Sequence, residues 1–155
     1  MEKMNRRGFV KLAGAGSAAA AAAAGVPLAA HALSKESGVL RFSASGGLPK
    51  AGLPSYATQI VEGTVDLKTG TGLVTSRVLA GHPDEPSLIG LAGLSRVFKI
   101  TNVDLDRKRI RLHGVIEDRS QLRRGESPNA EIVVDQARKL VHAPFAGQPS
   151  TLPLA

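Results

Sequence analysis

The groups of this chain able to do chemistry are few. Beyond residue 32 there are three histidines, His82, His113 and His142, and no two have the close spacing of ligands carried on one element, so no metal site is expected. His82 is followed by Asp84 and Glu85 in a stretch held by Pro83 and Pro86, and a rigid loop of that kind can carry acid–base work. His82, Asp84, Glu85 and His113 are therefore the candidate catalytic set of a small barrel enzyme, a hydrolase, isomerase or cyclase. Acid–base work by neighbouring carboxylates needs one of them kept protonated by burial. The pairs Asp84/Glu85 and Glu117/Asp118 both border turn residues, where water keeps both members ionised. The chain has no Gly-x-Ser-x-Gly elbow, phosphate loop or dinucleotide fingerprint, and no cysteine, which excludes thiolate nucleophiles, cysteine-ligated metals and disulfides. No cofactor is expected, and the reading leans away from an enzyme.

Charge is the most uneven feature. Arg107, Lys108, Arg109 and Arg111 form a basic run, continued by Arg119, Arg123 and Arg124. Arg109 and Arg111 project from one face of a strand, and such a patch suits an anionic surface or an acidic partner. Asp104, Asp106, Glu117 and Asp118 are interleaved with it, and edge strands also carry charge simply to prevent unwanted pairing. With one Tyr, four Phe and no Trp, stacking platforms for single-stranded nucleic acid are missing, so no specific nucleic acid is expected.

The elements that must position these groups read as strands. Val39 to Ser43 is a short first strand after a polar lead-in from Leu33 to Gly38, and Gly46 to Pro54 is a loop. Tyr56 to Leu67 and Leu73 to Leu79 flank a Thr-Gly-Thr-Gly turn. Gly81 to Ser87 is a loop, and Leu88 to Leu94, interrupted by two glycines, is a weak helix. Arg96 to Leu105 and Lys108 to Asp118 form the clearest hairpin, with Ile110, Leu112 and Ile116 on one parity and Arg109, Arg111 and His113 on the other. Ser120 to Asn129 is a connection, Ala130 to Asp135 and Lys139 to Ala143 a third hairpin, and the tail over 143–155 is expected to be irregular. Val65-Asp66, Val103-Asp104 and Val134-Asp135 each end a strand where the chain reverses. An Asp there can accept backbone N–H bonds from the turn. An Asp-lined cation site is the functional alternative. The expected fold is all-β, an antiparallel meander of six to eight strands closing into a small barrel or folding as a sandwich.

The first residues are of another kind. Asn5-Arg6-Arg7-Gly8-Phe9-Val10-Lys11 precedes an uncharged Ala/Gly-rich stretch from Leu12 to Ala30, and Ala30-His31-Ala32 is a small-x-small cleavage signal. Arg6, Arg7, Phe9 and Lys11 resemble the consensus of twin-arginine signal peptides, with Asn5 in place of the hydroxyl residue and Val10 in place of Leu. That resemblance implies transport of a folded protein, with the translocation machinery and signal peptidase as partners. General secretion and retention as an uncleaved membrane tether are the alternatives, the latter because nineteen uncharged residues nearly suffice to span. The expected organisation is a leader over 1–32, helical around Lys3 to Ala24, and one domain over 33–155 that is periplasmic or secreted. The whole chain carries +7, of which the leader holds +3. The domain is expected to be a binding or interaction module for an anionic surface or, if the sheet closes round a cavity, a small apolar ligand.

Overall fold

A computed structural model describes residues 33–36, 38–48, 57–83 and 85–155. The expected leader helix and cleavage site lie outside the described residues, as does Asp84. The strands are β1 (Leu33–Glu36), β2 (Val39–Gly47), β3 (Ala57–Asp66), β4 (Thr71–His82), β5 (Glu85–Gly90), β6 (Arg96–Leu105), β7 (Arg109–Ile116), β8 (Asn129–Asp135), β9 (Leu140–Phe145) and β10 (Gln148–Pro153), with one 3-10 turn at Arg119–Gln121. The fold is all-β, as expected. β2, β3, β4, β6, β7, β8, β9 and β10 follow one another in a single antiparallel sheet that curls into a nearly closed barrel.

The seam lies between β10 and β2. It consists of one bridge, Ala44 with Leu154, and a hydrogen bond from Ala155 N to Ser43 O at 3.0 Å. Leu154 N donates to Lys139 O, so the even-numbered residues of β10 aim their backbone at β9 and the odd-numbered ones at β2. Two of those odd positions are Pro149 and Pro153, which have no N–H to give. The expected irregular tail is thus corrected. Its prolines fall where a strand at a seam can carry them, and β10 pairs with β9 along its whole length. The lead-in is corrected in the same way, since β1 pairs with Val39 to Phe42 and covers the part of β2 that β10 does not reach.

The expected helix over Leu88 to Leu94 is also corrected. β5 folds back on Leu79 to His82 while β6 pairs with Gly72 to Ser76, so the two share one edge of β4 in succession. Gly93, at φ +74°, lies in the turn between them, and left-handed residues of this kind end a regular element. Pro86 is accepted because β5 is peripheral and pairs only with β4.

Side chains from all eight ring strands fill the interior, including Phe42, Phe98, Ile100, Leu112, Ile132 and Leu152. A smaller apolar group of Ala57, Val78 and Leu94 closes the far end. Between the two lies a polar layer. Inward-facing Gln59 follows Ala57 and precedes Val61, while Ser76 lies between Val74 and Val78 and is paired with Arg96. Gln59 Nε2 donates to Ser76 Oγ at 2.9 Å, and Ser150 Oγ lies 2.6 Å from Gln59 Oε1. Every buried side-chain nitrogen and oxygen among the described residues has a partner, which removes the cost of placing this layer in the core.

Candidate functional site

His82 and Glu85 are register partners where β4 meets β5, and His113 stands apart from them. His82 ends β4 and Glu85 opens β5, whereas His113 lies on the outer face of β7, between β6 and β8. In its Nε2–H tautomer His113 donates to Asp104 Oδ2 at 2.9 Å, and its Nδ1 lies 3.7 Å from Glu131 Oε2. This is a cross-strand ladder on an exposed face. No group of three metal-ligating side chains gathers among the described residues.

A cleft of about 420 Å³ opens instead between β8 and β9. Its cause is local. The β8–β9 ladder ends at Val133 with His142, because the next residue of β9 aimed at β8 is Pro144, which cannot donate. Glu131 and His142 stand at the opening, Gln148 and Asn129 line it, and Ser150 of the buried polar layer forms part of the floor. His142 Nδ1 is engaged with Thr151 Oγ1 at 2.9 Å, and the Ser150 hydroxyl with Gln59 Oε1 and the Ala143 carbonyl. The serine and the histidine are not joined, so the cleft offers polar groups for binding without an activated nucleophile.

Beside this cleft lies a feature with no signal in the sequence. Arg96 and Glu126 form a buried ion pair, their side chains 3% and 5% exposed. The guanidinium donates to both carboxylate oxygens at 2.9 Å and to the carbonyls of Gly93, Ser95 and Gln121. The hydrogen bonds from Arg96 hold the Glu126 carboxyl below its ordinary range against the opposing effect of burial, with the Arg123 N–H helping. The pair staples the turn before β6 to the connection between β7 and β8.

The basic run is divided by the fold. Arg109 Nε binds Asp135 Oδ2 at 3.0 Å, Asp135 being buried, and Arg111 stands opposite Asp104. Arg107 and Lys108 belong to the β6–β7 turn, and the meander places the β3–β4 and β8–β9 turns at the same end of the barrel. Gln136 N donates to Lys108 O at 3.0 Å, tying two of these turns together. A Cβ on Gly70 would lie 3.6 Å from Val103 N, which brings the third turn alongside. Lys68, Arg107, Lys108, Arg109, Arg138 and Lys139 therefore gather at one end against Asp66, Asp106 and Asp135.

Those aspartates are turned onto their own backbones. Asp66 Oδ1 accepts from Lys68 N and Thr69 N at 2.7 and 3.1 Å, Asp106 Oδ1 from Arg107 N at 2.6 Å, and Asp135 Oδ1 from Arg138 N at 2.9 Å. The bond from Arg138 N is the main cause of a lowered Asp135 carboxyl, joined by Arg109. The turn reading holds at Asp66 and Asp135. It fails at Asp104, which serves His113 while Asp106 takes its place. Lys68, Arg138 and Lys139 were missed as members of the basic group, although each copy of the Val-Asp signal is followed by cations and a meander puts alternate turns at one end. No protein-family model, curated protein or solved structure matches the chain.

Proposed function

We propose that the chain is an exported, non-enzymatic binding module that engages an anionic partner through the turn end of its barrel. The observation carrying this reading is that three adjacent turns gather six cations against three aspartates, each of which is held by backbone N–H groups of its own turn, Asp135 pairing with Arg109 as well. One further detail supports it. Lys139 takes φ +55°, a left-handed conformation that glycine adopts without the steric cost a side chain brings, so the turn carries a cation at a position whose backbone favours glycine. The filled interior leaves the surface and the β8–β9 cleft as the places for contact.

Charge reversal at the tip tests the reading. Arg107→Glu with Lys108→Glu is expected to lower retention on a sulfonate resin at low salt far more than Arg109→Glu with Arg111→Glu, because Arg109 already has a carboxylate partner. Lys139→Gly is expected to weaken retention while raising the melting temperature. Equal retention of the tip variant and the parent sinks the proposal.

Export is the other half. Arg6, Arg7, Phe9 and Lys11 support the twin-arginine route. Intact-mass measurement of the exported protein is expected to give a chain beginning at Leu33. A mass that includes residues 1–32 would instead support the tethered form.

A further inference from the structure

We infer that the anionic partner is a lipid bilayer surface, on which the barrel stands by its turn end with Leu105 inserted. This rests on the reading of the basic end given above and adds what that end touches. Leu105 is the last residue of β6 and is paired with Ile110, whose side chain is buried in the barrel interior. Cross-strand partners share a face, so Leu105 belongs to the interior row. It lies where that row runs out of barrel, however, and is 57% exposed. Arg107 and Lys108 follow it in the same turn, and Lys68, Arg138 and Lys139 flank it on the neighbouring turns.

A protruding leucine within a group of cations is the combination an anionic membrane surface recognises. The cations gain attraction to the headgroups and the apolar side chain leaves water for the acyl boundary. A hydrophilic polyanion would use the same cations and make no use of the leucine. The long stems of Lys and Arg suit the lipid case too, since they run along apolar material and hold their charge at headgroup level. Lys68 shows such a stem, its methylenes lying against Gly38 in the turn between β1 and β2, where a Cβ would meet Lys68 Cε at 3.0 Å.

The test compares the full chain with Leu105→Ser and with Arg107→Glu/Lys108→Glu. Binding is measured on vesicles of phosphatidylcholine containing phosphatidylglycerol and, in parallel, on the sulfonate resin. Every variant carries the same residues 1–32, so a difference between variants reports the substituted positions 105, 107 and 108. Leu105→Ser is expected to weaken vesicle binding about ten-fold, the worth of partly burying one leucine, and to leave resin retention and melting temperature unchanged. The charge variant is expected to weaken vesicle binding roughly a hundred-fold and to lose resin retention. Vesicle binding indifferent to Leu105, or absent while resin retention persists, overturns the lipid inference and leaves a soluble polyanion or acidic protein as the partner of the basic end. Resin retention indifferent to the charge variant overturns the underlying reading itself.

Discussion

Arg96→Ala is expected to destabilise the fold by about 3–5 kcal/mol, the cost typical of removing one partner from a buried ion pair and leaving the other charge uncompensated. Three carbonyls lose their donor in the same substitution, those of Gly93, Ser95 and Gln121. Arg96→Lys is not expected to restore them, because an ammonium cannot present the planar fork that reaches both Glu126 oxygens. Glu126→Gln gives the pH dependence. The Glu126 carboxyl is lowered in the folded state, so its contribution is complete above the ordinary glutamate value of about 4.3 and is lost as pH falls through the lower folded value. The stability gap between the parent and Glu126→Gln is therefore expected to be wide at neutral pH and to narrow in acid. Urea unfolding at both pH values checks this, and a gap unchanged in acid would remove the ion pair from the account.

The second large effect lies where Phe42 crosses Gly63. The two are partners across β2 and β3, and a Cβ on Gly63 would fall inside the edge of the Phe42 ring, so the glycine makes room for the aromatic. Gly63→Ala is expected to cost about 1–3 kcal/mol through overpacking, and Phe42→Ala about 3–5 kcal/mol through the cavity it leaves. The double variant is expected to be no less stable than Phe42→Ala alone, because the new methyl enters space the ring has vacated. Additive losses in equilibrium unfolding would show that ring and glycine do not share that space.

Much of the sheet was legible in the sequence, and the particular residues explain where legibility stopped. β6 matches its expected span although no single parity is apolar throughout: Phe98 and Ile100 face inward on one parity and, past the irregularity between Ile100 and Asn102, Val103 and Leu105 on the other, whereas in β7 the arginines alternate with Ile110 and Leu112 without interruption. β5 was obscured by Gly90 and the prolines before it, features that deny a central strand but permit a peripheral one. β10 was obscured by Pro149 and Pro153, whose harmlessness depends on which edge they face, and no local pattern states that. The candidate site was legible in part. Arg107 and Lys108 were found as neighbours in sequence, whereas Lys68, Arg138 and Lys139 joined them only through the meander. Arg96 and Glu126 lie 30 residues apart, each resembling any solvated charge until the fold removes the water.

The single bridge at the seam also orders events in time. Every other junction of the ring except β4 with β6 is a pairing of strands consecutive in the chain, and even there only the short β5 intervenes, so each can zip from its own turn at a small loop-closure cost. Ala44 and Leu154 are 110 residues apart, and closing that span gains little backbone pairing because the prolines withhold it. The ring is thus assembled locally and shut last, and shutting is rewarded mainly by the apolar side chains that closure buries. Amide exchange in β10 should therefore be faster at Thr151, whose N–H is aimed at β2, than at Ser150 and Leu152, which are aimed at β9.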